Sequence, residues 1–214
     1  MRYTLFSALA LGAMVQISSA AVSVTGTNFS ADFLQGIMIT DNTGAVLPAG
    51  GTSASIAFGN FDAIDFNTAN GAAVLAAFNQ NGSGNGGMNP AFGGAFNTTR
   101  ADAATSLDSS DSFTGSNIFI VIGNGTTLAG STDFVVYDSG VAWPQEVAVV
   151  GASVTVRTYQ GTLLYGIPTV VSGAGGPFAV NNGKAGVTFG QIPEPSSSLL
   201  FGAAGLALLI RRKR

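Results

Sequence analysis

The sequence predicts a mainly β domain, an antiparallel sandwich or barrel-like fold with one short helix, between two terminal segments of different composition. Three observations support this: short stretches that alternate apolar and polar residues, turn-forming residues between them, and a single alanine-rich segment. The 214 residues include 30 glycines, a content typical of turn-rich β proteins. One domain of ordinary size fits this length.

The predicted strands are segments in which apolar side chains recur at every second position or form short runs. β-Branched and aromatic residues, which favour strands, are frequent in these segments. The predicted strands are 22–27, 37–40, 53–58, 119–122, 134–137 and 152–158. Several short strands separated by turn signals indicate a sandwich or a barrel.

Three turn signals bound the predicted strands. Asp41-Asn42-Thr43-Gly44 follows the strand at 37–40, Asn124-Gly125 lies between Ile122 and Thr126, and Gln160-Gly161 lies between Tyr159 and Thr162. An Asn-Gly pair suits a type I′ turn, because both central positions of that turn require a positive φ. The sequence therefore predicts a tight hairpin at 124–125.

One segment, Thr68 to Gln80, has helix-forming composition, with Asn67 as the candidate N-cap. We expect this helix to pack on a sheet. The glycine-rich stretch Asn81 to Gly94 that follows is predicted to be a mobile loop. The chain shows no fixed-period repeat, which argues against a solenoid.

The absence of Cys and His from the sequence excludes several kinds of site. Zinc sites of Cys or His, Ser-His-Asp triads, Cys-His dyads and thiol redox centres all require one of these residues. Residues 21–192 carry three basic and ten acidic side chains, a net charge of −7. This charge argues against nucleic acid or anionic lipid as a partner, since cations bind both. No cofactor is predicted.

Three pairs of aspartates are the candidate calcium ligands or catalytic residues. They are Asp62 with Asp65, Asp108 with Asp111, and Asp133 with Asp138. None has the acid density of a calcium loop, so solvated turn residues are the favoured interpretation. A glycosidase needs two carboxylates that face each other across a cleft, which sequence spacing does not establish. We therefore predict neither a metal site nor a catalytic residue.

Two further sets of residues have an ordinary interpretation. Four glycosylation sequons begin at Asn28, Asn81, Asn97 and Asn124, a number that this Asn-, Ser- and Thr-rich composition explains. Trp143, which precedes Pro144, is predicted to close a core rather than to stack on a sugar ring.

The N-terminus has the three parts of a secretory signal peptide. Arg2 supplies the positive charge, Leu5 to Ile17 an apolar stretch of 13 residues, and Ser18-Ser19-Ala20 a small-x-small cleavage site. A membrane-spanning helix needs about 20 apolar residues, so an anchor is the less favoured interpretation. We expect signal peptidase to remove residues 1–20 by cleavage after Ala20, with Ala21 as the second choice.

Four features follow one another in order at the C-terminus. They are Pro193-Glu194-Pro195, the serines 196–198, an apolar run from Leu199 to Ile210, and the basic cluster Arg211, Arg212, Lys213 and Arg214. The prolines keep their segment extended, and the serines can cap a following helix. The apolar run of 12 residues is short for a spanning helix, and the basic cluster is expected to stay cytoplasmic.

This arrangement resembles the PEP-CTERM sorting signal of Gram-negative bacteria, which the membrane transpeptidase-like enzyme exosortase recognises. Over residues 192–214, the resemblance implies that Pro193, Glu194 and Pro195 form the recognised tripeptide. Residues 199–210 would be a transient membrane helix, and 211–214 the stop-transfer cluster. The same tail is also labelled an ice-binding protein C-terminal domain, which describes the tail and not an activity. A plain tail anchor is the alternative interpretation.

The resemblance implies export across the inner membrane, processing near the motif, and delivery of residues 21–191 to the cell envelope, the surface or an extracellular matrix. Two functional classes remain for this domain. The favoured one is a non-catalytic surface or matrix protein that contacts extracellular polysaccharide, because His, Cys and clustered acids are absent. The alternative is a secreted carbohydrate-active hydrolase that uses an Asp pair, for which a cleft with two carboxylates of shifted pKa would be needed.

Overall fold

A computed structural model describes residues 22–51, 53–82, 86–102, 113, 115–144 and 153–190. Within these ranges the protein is mainly β, which confirms the predicted fold class. The strands are β1 (Val22–Thr27), β2 (Met38–Ile39), β3 (Ser55–Phe61), β4 (Phe78–Gln80), β5 (Gly86–Gly87), β6 (Asn97–Asp102), β7 (Asn117–Gly123), β8 (Phe134–Ala142), β9 (Ser153–Arg157), β10 (Thr162–Tyr165), β11 (Ile167–Val170) and β12 (Ala185–Thr188). Helix α1 covers Gly71–Ala77, and two 3-10 helices cover Thr158–Gln160 and Gly176–Asn181.

The described strands form three sheets. The outer sheet has the order β6-β1-β9, the central sheet has the order β10-β8-β7-β3-β4 with β5 also paired to β3, and the small sheet has the order β11-β12-β2. The pairs β1–β9 and β12–β2 are parallel, and the other pairs of named strands are antiparallel. The prediction of a mostly antiparallel fold is therefore confirmed.

The central sheet is buried on both faces. On β7, Ile118, Ile120 and Ile122 pack with side chains of the outer sheet, whereas Val121 and the half-buried Phe119 point to the opposite face, where α1 packs. Strands β3 and β8 alternate in the same way, because successive side chains of a strand point to opposite faces. Full burial of one such side chain contributes roughly 1.5–3 kcal/mol.

The helix is shorter than predicted and begins later. Its N-cap is Asn70 and not Asn67, since the Asn70 Oδ1 accepts a hydrogen bond from the Ala73 N–H at 2.9 Å. The predicted end of the helix, Phe78 to Gln80, instead forms β4 and pairs with β3. Phe78 also packs its ring 5.1 Å from Phe61, so contacts with a distant strand override the local helix preference.

The hairpin of β7 and β8 exists, but the predicted tight turn at 124–125 is wrong. Gly123 pairs with Phe134, so residues 124–133 form the connection, and Gly125 does not adopt a positive φ. The Asn124 side chain instead closes this longer loop at its base. Its Oδ1 accepts hydrogen bonds from the N–H groups of Thr132 and Asp133 at 2.9 and 3.2 Å.

The glycine-rich stretch at 81–94 is not a loop throughout, because Gly86 and Gly87 form β5 and pair with β3. Glycine is required there for close packing: a Cβ on Gly86 would collide with the Thr98 side chain of β6. Strands β4, β5, β6, β10, β11 and β12 were outside the prediction, while β1 has the predicted bounds.

A buried asparagine joins the outer sheet to the small sheet. Asn28 follows β1 and is fully buried. Its Nδ2 donates to the carbonyl groups of Ile37 and Gly94 at 2.9 and 2.8 Å, and its Oδ1 accepts from the Phe96 N–H at 2.7 Å. Ile37 precedes β2, and Gly94 and Phe96 precede β6. The Asn28 side chain therefore holds these two segments against its own segment after β1.

Replacement of Asn28 by Ala should lower the free energy of unfolding by about 3 kcal/mol, because three buried or part-buried backbone groups lose their partner. The measurement is urea unfolding of the exported domain. The matched control is Asn97→Ala on the exposed face of β6, which should change stability by less than about 0.5 kcal/mol. Equal unfolding midpoints for the two variants would contradict the role assigned to Asn28.

Candidate functional site

The residues predicted to direct sorting lie outside the described part of the chain. These are Ala20, Pro193, Glu194, Pro195, the apolar run 199–210 and the basic cluster Arg211, Arg212, Lys213 and Arg214. The structure does show where the tail begins. Strand β12 ends at Thr188, and the N–H of Gly190 donates to the carbonyl of Phe134 at 3.3 Å. The tail therefore leaves the domain where the small sheet meets the start of β8.

Asp65 stabilises a local turn before α1, whereas Asp62 contacts a residue of β4. The Asp62 Oδ1 accepts a hydrogen bond from the Asn79 Nδ2 at 3.0 Å. Asp65 accepts from the Asn67 N–H at 3.0 Å and from the Thr68 hydroxyl at 3.3 Å. The contacts of Asp65 are those of a turn residue, as the favoured interpretation predicted, but the contact of Asp62 is not local.

Asp133 and Asp138 are not brought together. Asp133 precedes the first residue of β8 and Asp138 lies within that strand, so five strand positions, roughly 16 Å, separate them. The Asp138 carboxylate accepts from the Gly140 N–H at 2.8 Å and from the Asn117 Nδ2 at 3.0 Å. Asp133 and Asp138 are therefore not the pair of carboxylates facing each other across a cleft that a glycosidase uses.

Asp108 and Asp111 lie outside the described residues. Within the ranges that the structure covers, no three Asp or Glu side chains gather closely enough to hold a metal ion.

Two carboxylates that sequence reasoning did not single out have lowered pKa values. The hydrogen bond from the Thr43 hydroxyl makes the largest contribution to lowering the pKa of Asp41. The Asp41 Oδ1 accepts from that hydroxyl at 2.7 Å and from the N–H groups of Thr43 and Ala45 at 2.8 and 3.0 Å. The Ser30 hydroxyl, followed by the Leu34 N–H, lowers the pKa of Asp32. The turn at 41–44 is confirmed, with Gly44 at φ +85°.

The loop at 30–35 contains a strained aromatic residue. Phe33 has φ +61°, a conformation that bulky side chains rarely adopt. Its ring lies 5.6 Å from that of Phe29 and 5.1 Å from that of Phe178, and the ring contacts hold it in place. No local sequence pattern signals this conformation, because the contact with Phe178 joins residues far apart in the chain.

Three of the sequon asparagines and the tryptophan lie in different environments. Asn28 is buried and fully engaged, Asn124 closes a loop, and Asn97 is exposed on β6. Trp143 is 2% exposed and packs its ring 5.3 Å from Phe113. The prediction that Trp143 closes the core is confirmed.

The comparison with known families identifies the tail. Residues 191–214 match the family model described as the PEP-CTERM protein-sorting motif, which confirms the resemblance seen in the sequence. No curated protein and no solved structure matches the chain. The motif indicates a protein that exosortase processes and that is exported to the cell envelope or surface.

The described part of the chain contains no helix with the length and apolar character needed to cross a membrane. The predicted membrane helix at 199–210 lies outside that part.

The Asp41 turn should make stability depend on pH. The lowered pKa of Asp41 means that the folded state favours the carboxylate. The stabilisation is therefore complete above the ordinary aspartate pKa of 3.8 and is lost as the pH falls through the lower pKa of the folded state. We expect Asp41→Ala to melt at a lower temperature than the native domain at pH 7 and to approach it at pH 2. Thr43→Val removes the hydroxyl that contributes most to the lowered pKa of Asp41, so it should reproduce part of the fall in melting temperature at pH 7. A melting-temperature difference that is the same at both pH values would contradict this assignment.

The domain should fold without calcium, since Asp41, Asp65 and Asp138 each accept a hydrogen bond from a different backbone N–H. Thermal unfolding with excess chelator should match unfolding with added calcium. A fall in melting temperature of about ten degrees or more on chelation would reveal a structural ion.

Proposed function

We propose that this protein is a non-catalytic component of the cell surface or extracellular matrix, and that residues 21–191 are the cargo of its sorting tail. The match of residues 191–214 to the sorting motif carries this proposal. Signal peptidase removes residues 1–20, and the run 199–210 then holds the chain transiently in the inner membrane of a Gram-negative-type bacterium. The basic cluster stays in the cytoplasm, and exosortase processes the chain near Pro193, Glu194 and Pro195.

The chemistry of the described residues supports a non-catalytic role. The carboxylates of Asp62, Asp65 and Asp138 are occupied by turn or strand contacts, and none of them faces a second carboxylate as a hydrolase requires. The sequence has no His or Cys to act as a base or nucleophile. No described carboxylate favours the alternative of a carbohydrate-active hydrolase.

The exposed face of the outer sheet supports contact with extracellular polysaccharide. The strand register places Thr99, Thr25 and Thr155 in one row across the sheet, with Ser23 and Ser153 in the next. The hydroxyls of Thr25 and Thr99 lie 2.8 Å apart on the surface. Neutral hydroxyls can exchange hydrogen bonds with sugar hydroxyls and with their bound water.

Replacement of Pro193, Glu194 and Pro195 together by Ala should leave translocation intact, because the signal peptide is unchanged. The variant should stay in the inner membrane with its tail uncleaved. The measurement is cell fractionation with mass analysis of the C-terminus in a host that carries exosortase. Replacement of the adjacent Ser196, Ser197 and Ser198 by Ala is the matched control and should be processed. Equal processing of both variants would contradict the role of the motif.

Deletion of residues 211–214 should have a different result. An apolar run of 12 residues is marginal for membrane retention without a cationic stop, so the chain should pass through the membrane. We expect soluble protein that keeps the rest of its tail. Membrane retention equal to that of the unmodified chain would show that the basic cluster does not stop transfer.

A further inference from the structure

The large apolar side chains that are exposed among the described residues all lie on or beside the small sheet. They are Leu34, Val170 and Val180, with 58%, 64% and 47% of their surface exposed. Val170 is the last residue of β11, an edge strand of that sheet. Val180 belongs to the 3-10 helix Gly176–Asn181, and Leu34 to the loop at 30–35. We call these three residues the apolar patch.

Lys184 connects the three parts of the apolar patch. Its Nζ donates to the carbonyl of Leu34 at 3.2 Å, and its N–H donates to the carbonyl of Asn181, next to Val180, at 3.0 Å. Its own carbonyl accepts from the Val171 N–H, next to Val170, at 2.9 Å. Lys184 therefore bonds to the backbone of all three segments that carry the patch, and its cationic side chain lies at Leu34.

The loop that carries Leu34 is held in a single strained conformation. Phe33 has φ +61°, and its ring packs on Phe178 of the 3-10 helix. The Ser30 N–H donates to the Gln35 carbonyl at 2.8 Å, and the Leu34 N–H donates to the Asp32 carboxylate at 3.2 Å. A backbone that is fixed in this way directs Leu34 to the surface before any partner arrives, which lowers the entropy lost on binding.

Val170 pairs with Ala185 at one end of β12, and the sorting tail begins beyond Thr188 at the other end of this strand of 4 residues. β12, the middle strand of the small sheet, ends at Thr188, and the last described residue is Gly190. Eight residues, 191–198, separate Gly190 from the apolar run at 199–210. A chain of that length spans at most roughly 30 Å. While the run is in a bilayer, the small sheet must therefore remain near the membrane surface.

We propose that the apolar patch docks on the lipid surface of the membrane in which the tail is held. This inference rests on the membrane intermediate of the proposed function. Three aliphatic side chains give only weak lipid binding by themselves, but the tether keeps their effective concentration near the bilayer in the millimolar range. The lipid contacted is neutral overall, because residues 21–192 have a net charge of −7 that anionic lipid repels. Lys184 extends its ammonium to a lipid phosphate.

Docking would place the segment that carries Pro193, Glu194 and Pro195 beside the membrane face, within reach of a membrane enzyme. The hydroxyl rows lie on the outer sheet, a different sheet from the one that carries Val170. The function of the patch is thus to orient the cargo before the tail is processed.

The absence of Cys from the chain permits a direct test. Single cysteines in Leu34→Cys, Val180→Cys and Thr155→Cys each receive a fluorescent label, Thr155 being an exposed control on β9. The full chain is reconstituted in phosphatidylcholine vesicles in which some lipids carry a doxyl quencher. We expect loss of most emission from labels at 34 and 180 and none at 155. Circular dichroism of each variant is the control that checks whether all three are equally folded.

The outcomes separate the docking proposal from the sorting proposal. Docking is overturned if the labels at all three sites are quenched equally. It is also overturned if the labels at 34 and 180 are not quenched in a chain that floats with the vesicles. Both results leave the sorting proposal standing. Emission at 34 that changes with protein density but not with doxyl lipid identifies contact with a second copy and also overturns docking. A chain that does not float with the vesicles overturns both docking and the membrane intermediate.

Discussion

Burial of the central sheet on both faces is the constraint on which the rest of the structure depends. The isoleucines of β7 face the outer sheet, while Val121 faces the side covered by α1. The chain has no cysteines to form disulfides, and only 9% of its residues are charged. Apolar burial must therefore supply most of its stability. Two covering layers follow from this requirement, and Asn28 fixes the segments that connect them to the small sheet.

The fold class was predictable because alternation is a local property, and β1 has the predicted bounds of 22–27. The elements that were misplaced depend on distant partners. Phe78 belongs to a strand because β3 and Phe61 lie beside it. Asn124 closes a longer loop because the Thr132 N–H donates to its side chain. The role of Asn28 depends on backbone groups that only the folded chain brings together. The parallel pairing of β1 with β9 has no local signature either.

The candidate sites divide in the same way. The sorting motif was readable because it is a linear signal of prolines, an apolar run and basic residues, and the family comparison confirms it. The aspartate pairs were ambiguous, since spacing along a chain does not show whether two carboxylates face each other; the structure assigns the described ones to turns and strand contacts. The apolar patch escaped notice because Leu34, Val170 and Val180 come from separate segments. Val170 lies on the small sheet, whose middle strand β12 precedes the tail, and this placement links the fold to the sorting step.

The sorting motif indicates that this β-rich protein is processed by exosortase and exported to the cell envelope or surface. The measurement that tests this most directly is the intact mass of the unmodified protein from two otherwise identical hosts, one with exosortase and one without. The account predicts that the first host yields a chain that begins after Ala20 and ends near Pro195. The second should yield a chain that retains Arg214 in the membrane fraction. The same mass, with Arg214 retained, in both hosts would contradict it.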